Sequence, residues 1–97
     1  MGKLKITKSR TGIEEHRRTI DRLNRALLTL LNRRVKAACR IGAIKKQQGL
    51  PISDLSREKA IMAALCADNP GPLDTIAIHA IFRTIIRHTK RLERKLS

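Results

Sequence analysis

The fold is decided by one uninterrupted stretch, residues 13–46, which reads IEEHRRTIDRLNRALLTLLNRRVKAACRIGAIKK. Apolar residues recur there at spacings of seven or fourteen, in two registers that we call the seam: Ile13, Ile20, Leu27 and Ile41, and Leu23, Leu30, Ala37 and Ile44. Such rows are typical of a coiled-coil-like helix. Because the first proline is Pro51, the pattern predicts a single helix of about 34 residues, ~50 Å long.

A helix of that length is too long to be covered by its own chain. A domain of 97 residues has a radius of gyration of about 12–13 Å. We therefore expect a second copy of the chain to cover the seam. Residues 1–12 are basic and lack an apolar period, so we expect a flexible lead that ends at Gly12, within a single domain spanning residues 1–97.

Two further helices are predicted after the loop at residues 47–53, in which Gly49 and Pro51 are helix breakers. The second helix is capped by Ser53 or Asp54 and ends near Ala67. The sequence NPGP at residues 69–72 stops it, and the third helix is predicted over residues 73–95. The apolar residues expected to face inward are Ile61, Ala64, Leu65, Ile78, Phe82, Ile85 and Ile86. The predicted fold class is all-α, with one very long helix, a short middle helix and a C-terminal helix.

The charge of the chain indicates an anionic partner. Lys and Arg number 22 against 8 acidic residues, a formal net charge of +14, which attracts nucleic acid, membranes or small polyanions alike. The single aromatic residue offers no stacking surface for nucleic acid. No stretch approaches the ~20 apolar residues that span a bilayer, and no signal peptide is recognisable. We therefore expect a cytoplasmic protein with no membrane partner.

Three basic residues interrupt or flank the seam. Arg34 lies between Leu27 and Ile41, where a charge is costly unless it is paired. It either sets the register of the helix or points into a buried anion site. Lys45, eleven residues later, faces the same side. Arg17 is about 25 Å from Arg34 along the axis, so one small ligand contacts both only if Arg17 comes from a second chain; otherwise Arg17 is a surface residue.

Polar residues on the other two helices complete the candidate set. Asp54 and Glu58 are explained by capping and by the helix dipole. Arg57 opposes the dipole at a helix start, so a bound carboxylate would account for it. Thr89 and Glu93 continue the inward stripe of the third helix, either as a fraying end or as the open end of a site.

These outliers, in this order, resemble the all-helical chorismate mutase family, the AroQ class. The resemblance covers about residues 13–95 and rests on five stretches: RRTID at 17–21, LLTLLNRR at 27–34, IGAIK at 41–45, LPISDLSRE at 50–58 and IFRTII at 81–86. It implies an intertwined homodimer that converts chorismate, a dicarboxylate, to prephenate. It implies neither a cofactor nor a metal, and His16, His79 and His88 are too scattered to suggest one.

The resemblance also implies roles for the basic residues. Arg34 and, from the second chain, Arg17 would bind the carboxylates of chorismate. Arg57 and Thr89 would lie near the ring carboxylate, where the family usually has Ser in place of Thr89. Lys45 would donate to the ether oxygen and to a carboxylate.

The resemblance also implies roles for the acidic residues, one of which would have to be protonated. The backbone of Asp54 and the side chain of Glu58 would hold the ring hydroxyl. Glu93 matches a position that is commonly Gln, and an ionised carboxylate there would repel the negative charge that develops on the ether oxygen. To donate a hydrogen bond Glu93 must be protonated, so we expect burial to raise its pKa.

Four alternatives remain at this point, and one of them is a regulatory or inactive paralogue, for which Glu93 leaves room. An isochorismate-pyruvate lyase shares the fold, although the block from Asp54 to Glu58 favours the mutase. A mutase of 4-amino-4-deoxychorismate would differ near Glu58, around the group at ring position 4. A basic nucleic-acid-binding protein would explain the net charge but not the inward Arg34 and Lys45. The remaining basic residues, Lys90 among them, are attributed to substrate steering, solubility or an acidic partner.

Overall fold

A computed structural model describes the backbone of residues 2–96 and the side chains of residues 12–96. Residues 2–96 form three α-helices and no strand: α1 (Gly2–Gln48), α2 (Leu55–Asp68) and α3 (Thr75–Leu96). The all-α prediction of one very long, one short and one C-terminal helix is confirmed. None of these helices combines the length and the apolarity that crossing a bilayer requires.

The start of α1 differs from the prediction. The helix begins at Gly2 and passes through Gly12, so the expected break at Gly12 is wrong. A lone glycine inside a helix costs only about 1 kcal/mol relative to alanine, and residues 3–11 contain no proline to stop the helix earlier. A Cβ added at Gly12 would meet nothing within 4 Å, so packing does not require the glycine either. The flexibility of residues 1–12 stays a prediction.

Short local hydrogen bonds define the connection between α1 and α2. Gly49 ends α1 with a φ of 68°, in the left-handed region that favours glycine. The amide of Leu50 donates to the carbonyl of Lys45 at 2.8 Å, which satisfies one carbonyl of the last helical turn. At the start of α2 the cap is Asp54, whose Oδ1 accepts from the amide of Arg57 at 3.0 Å. Of the two predicted caps, Asp54 is therefore the one used.

The connection between α2 and α3 is built in the same way. Asn69 Oδ1 accepts from the amide of Gly71 at 2.9 Å, and Asn69 Nδ2 donates to the carbonyl of Leu73 at 2.6 Å. Asp74 caps α3 by accepting from the amide of Ala77 at 2.8 Å. Because Asp74 takes the cap position, α3 begins at Thr75, two residues later than predicted.

The chain divides into two compact units, Met1–Arg34 and Val35–Ser97. The first unit is part of α1, and five of its seam residues are 53–57% exposed: Ile13, Ile20, Leu23, Leu27 and Leu30. The second unit contains residues 35–48 of α1 together with α2 and α3. It buries Ile78 and Ile86, two of the residues predicted to face inward.

Candidate active site

The connection between α1 and α2 accepts hydrogen bonds from two lysines, one on α1 and one on α3. Lys45, in the last turn of α1, is half buried and its Nζ donates to the carbonyl of Ile52 at 3.2 Å. Lys90, on α3, donates from its Nζ to Ser53 Oγ at 3.0 Å. Two adjacent residues of the connection thus each accept a hydrogen bond from an ammonium group, and such charge-assisted bonds are stronger than neutral ones.

Glu58, in the first turn of α2, forms an ion pair with Lys90. The Lys90 Nζ lies 2.5 Å from Glu58 Oε2, and the two side chains are only 21% and 27% exposed. Glu58 Oε2 itself is buried, so the ammonium replaces the water that this oxygen has lost. The position near the start of α2 adds the attraction of the helix dipole for a negative charge. Glu58 and Lys90 therefore support each other across two helices.

Thr89 and Glu93 are buried in α3, at 4% and 9% exposure. They lie four residues apart and extend the stripe of Ile78 and Ile86, as the helical period predicts. Their expected inward orientation is confirmed, and the alternative of a fraying end is wrong for these two residues. Thr89 Oγ1 donates to the carbonyl of Ile85 at 2.7 Å. In this rotamer the single hydroxyl proton is used, so donation to a ligand carboxylate requires the hydroxyl to turn.

The remaining predicted site residues lie closer to solvent. Asp54 and Arg57 are exposed, and the Asp54 carboxylate is engaged in capping α2. Arg17 and Arg34 belong to the first unit, where Arg17 is exposed and Arg34 is half buried. Within the second unit, Lys45 donates to Ile52 of the connection, Asp54 caps α2, and Glu58 lies in the first turn of α2.

Lys90 is the residue that the sequence reasoning missed, because it was counted with the surplus basic residues. The spacing of residues along α3 nevertheless indicates where Lys90 lies. Lys90 follows the buried Ile86 by four residues and precedes the buried Glu93 by three, which places it beside the inward stripe of α3. Its long side chain can follow that stripe and still present the ammonium to α2.

A groove of about 790 Å³ runs between α2 and α3. Glu58 and Lys90 both line it, together with apolar or weakly polar side chains such as Met62, Cys66 and Ile86. The ion pair therefore faces an open space that a small molecule or another helix can enter. Among the side chains that the structure describes, those of residues 12–96, no three His, Cys, Asp or Glu are grouped as a metal ion would need.

Comparison with known proteins identifies the family. Residues 16–94 match the family model described as chorismate mutase type II. The chain belongs to that family. This confirms the resemblance seen in the sequence, and the match contains all eight residues predicted for the site, which are Arg17, Arg34, Lys45, Asp54, Arg57, Glu58, Thr89 and Glu93.

Two curated relatives differ in how much of their own length this chain spans. The bifunctional chorismate mutase/prephenate dehydratase of Aquifex aeolicus is 38% identical over 88 residues, which is 87% of this chain and 24% of that protein. The chorismate mutase of Methanocaldococcus jannaschii is 34% identical over 86 residues, which is 86% of this chain and 85% of that protein. The chain thus corresponds to about a quarter of the first relative and to most of the second.

Two solved structures support the same family. The chorismate mutase of Thermus thermophilus, form II, is 36% identical with a TM-score of 0.83, over 84% of this chain and 93% of that one. Form I is 36% identical with a TM-score of 0.77, over 79% and 96%. None of these comparisons favours the lyase, the 4-amino-4-deoxychorismate mutase or the nucleic-acid-binding protein.

Proposed function

We propose that this chain is a chorismate mutase, an isomerase that rearranges chorismate to prephenate. The observation that carries the proposal is the family match, which runs from residue 16 to residue 94 and contains every predicted site residue. Chorismate bears two carboxylates, and the predicted set offers Arg17, Arg34, Arg57 and Lys45 to hold them.

The rearrangement of chorismate requires no covalent catalysis by the protein. One carbon–oxygen bond breaks and one carbon–carbon bond forms within a single molecule, so no nucleophile, metal or redox cofactor takes part. The protein must hold the enolpyruvyl chain over the ring and stabilise the negative charge that develops on the ether oxygen. Preorganised cations do both, and arginine fits a carboxylate with two parallel hydrogen bonds.

Lys45 is the proposed donor to the ether oxygen. Its ammonium carries three N–H groups, and one of them donates to the Ile52 carbonyl. That bond fixes the position of the ammonium, while the other two N–H groups are available for the ether oxygen and a carboxylate. The half-buried position of Lys45 strengthens its interaction with a developing charge, because less water screens it.

We further propose that the active form is an intertwined homodimer. The argument is the exposed seam in the first unit, where five leucine and isoleucine side chains are each more than half exposed. Burying apolar surface contributes roughly 25 cal/mol per Å², and the seven-residue repeat suits packing against a second helix. In this arrangement Arg17 of each chain completes the site of the other, beside Arg34.

The activity is tested by incubating the purified protein with chorismate at pH 5 and pH 8 and following the loss of its ultraviolet absorbance. The product is identified by chromatography. Prephenate is the expected product. In a parallel incubation with isochorismate, formation of pyruvate and salicylate would instead indicate the lyase. No turnover of chorismate at either pH would overturn the proposal.

The shared site is tested by mixing two inactive variants, Arg17→Ala and Arg34→Ala. Each variant alone is expected to lose roughly 10²–10³-fold in kcat/KM, since each lacks one charge-assisted carboxylate contact. After unfolding and refolding together, half of the dimers are mixed, and each mixed dimer has one intact site. Activity should therefore return to about a quarter of that of the unmodified protein.

The mixing experiment has a built-in control. Arg33→Ala removes an exposed neighbouring arginine and should leave activity close to that of the unmodified protein, alone or mixed. If the Arg17→Ala and Arg34→Ala mixture shows no recovery, while the unmodified protein regains its activity through the same refolding step, the shared site is excluded.

A further inference from the structure

The family resemblance predicts that Glu58, the ion-pair partner of Lys90, lies where the substrates of two related reactions differ. There the side chain of Glu58 would hold the hydroxyl at ring position 4, and 4-amino-4-deoxychorismate has an amine in place of that hydroxyl. An aliphatic amine is protonated at neutral pH. A lone glutamate would attract such a cation more strongly than it attracts a neutral hydroxyl. The structure, however, shows a glutamate whose charge is already balanced by Lys90.

We propose that Lys90 is a specificity-determining residue that makes the site prefer a neutral hydroxyl over a positively charged amine at ring position 4. The proposal rests on the proposed function and on the predicted contact between Glu58 and that ring position. Lys90 acts through Glu58 and through its own charge. It is a positioning residue and does not touch the atoms that react.

The geometry leaves Glu58 able to bind a hydroxyl while it is paired. A carboxylate has two oxygens with about four acceptor positions, and the ammonium of Lys90 lies against Oε2. Oε1 remains suited to accept a hydrogen bond from a neutral O–H group. A substrate ammonium at the same place would meet a pair with no net charge and would lie a few ångströms from a second cation.

The repulsion is effective because both partners are partly withdrawn from water. Their side chains are 21% and 27% exposed, and the interaction of two unit charges grows as the surrounding dielectric constant falls. Like charges brought together in such a site are a common way to exclude the wrong ligand. Lys90 thus excludes an amine by the same charge that supports Glu58.

Lys90 cannot easily swing away to relieve that repulsion. Its Nζ also donates to Ser53 Oγ at 3.0 Å, so the ammonium is held by one residue of α2 and one of the connection before it. The two partners are thirty-two and thirty-seven residues distant along the chain, and the contacts therefore depend on the packing of α3. The cation is a fixed element of the second unit rather than a mobile surface charge.

The experiment compares kcat/KM for chorismate and for 4-amino-4-deoxychorismate at pH 7 in a set of variants. Lys90→Gln removes the charge and keeps a polar group, and Lys90→Met keeps the length of the side chain if Gln disturbs folding. The kcat/KM for the amino substrate divided by the kcat/KM for chorismate should rise about tenfold in either variant. A tenfold change corresponds to the loss of one partly screened charge interaction. Lys90→Arg retains the charge and should keep the original ratio.

Two controls separate this inference from its alternatives. Lys59→Gln removes another lysine that lines the groove and should not change the ratio. Glu58→Gln, which removes the carboxylate and keeps Lys90, should lower the ratio, because the positive charge of Lys90 is then no longer balanced. An unchanged ratio in Lys90→Gln and Lys90→Met, with the unmodified protein active on chorismate, would overturn the role of Lys90 alone. An unmodified protein that converts neither substrate would overturn the proposed function and this inference together.

Discussion

The two units of this chain differ in how far they bury their regularly spaced apolar residues. In the second unit, Ile78 and Ile86 are buried by elements of the same unit. In the first unit, Leu23, Leu27 and Leu30 have the same regular spacing but are more than half exposed. A helix with a strong apolar repeat normally packs that face against another element. The comparison teaches that one chain carries a part that buries apolar residues of its own and a part whose apolar repeat stays exposed.

Polar residues follow the same division. The second unit pairs its buried or half-buried charges internally, as Glu58 does with Lys90 and as Lys45 does with the Ile52 carbonyl. Arg17 in the first unit is exposed, and a ligand carboxylate would give it a partner only after association. The substrate site that we propose therefore depends on internal packing for one part and on a second chain for the other.

The strongest test of this comparison is Leu27→Glu. The substitution places a carboxylate in the middle of the seam, where burying an unpaired charge is costly. We expect the dimer to dissociate and chorismate mutase activity to fall to the background rate. Sedimentation velocity and the chorismate assay measure the two effects on one sample.

Asn32→Glu is the matched control for Leu27→Glu. Asn32 is exposed on the same helix and lies outside both rows of the seam, so the same carboxylate should leave the dimer and the activity intact. A Leu27→Glu variant that remains dimeric and active would show that the seam is not the interface.

A smaller effect on activity is expected from Glu93→Gln, which tests the role of a buried carboxyl group of the second unit. The role that the resemblance implies for the buried Glu93 is donation of a hydrogen bond, which only a protonated carboxyl can make. Activity should be highest at low pH and fall as the pH rises through the pKa of Glu93, reaching about tenfold below its maximum. Glutamine donates at every pH, so the variant should show a flat profile of kcat/KM between pH 5 and pH 8.

The control for Glu93→Gln is Glu15→Gln, which changes an exposed glutamate of the first unit and should keep the profile of the unmodified protein. A profile that is equally steep in Glu93→Gln would assign the pH dependence to another group.

The smallest effect is predicted for Asp54→Ala, which removes the cap of α2. Loss of the bond from the Arg57 amide to Asp54 Oδ1 should lower the free energy of unfolding by about 1 kcal/mol. Urea unfolding at a fixed protein concentration measures it. Ser56→Ala, in the same first turn and also exposed, should cost less; an equal loss in both variants would mean that the cap contributes nothing specific.

Most of the fold can be predicted from the helical spacing of apolar residues and from the residues that cap or break helices. The ends of α2 and the end of α3 were predicted to within one or two residues, because Asp54 and the NPGP run are strong local signals. The inward orientation of Thr89 and Glu93 followed from the helical period alone. The start of α1 was missed because a single glycine was given more weight than its cost of about 1 kcal/mol justifies.

The candidate site was less accessible to sequence reasoning, for a physical reason. Local spacing places Lys90 beside an inward stripe, but it does not show which side chain of another helix the ammonium meets. The partners Ser53 and Glu58 are distant along the chain. Because the sequence contains many more basic than acidic residues, nothing local distinguishes Lys90 from the other lysines. Long-range pairs of this kind depend on packing, whereas caps such as Asp54 depend on three neighbouring residues.

The exposed seam has a consequence for how the protein responds to dilution. An apolar face that a second copy covers makes folding and association one bimolecular equilibrium, governed by mass action. The midpoint of thermal unfolding should then rise with protein concentration, and dilution alone should act as a mild denaturant. For such a chain the amount present in solution is itself a determinant of its stability.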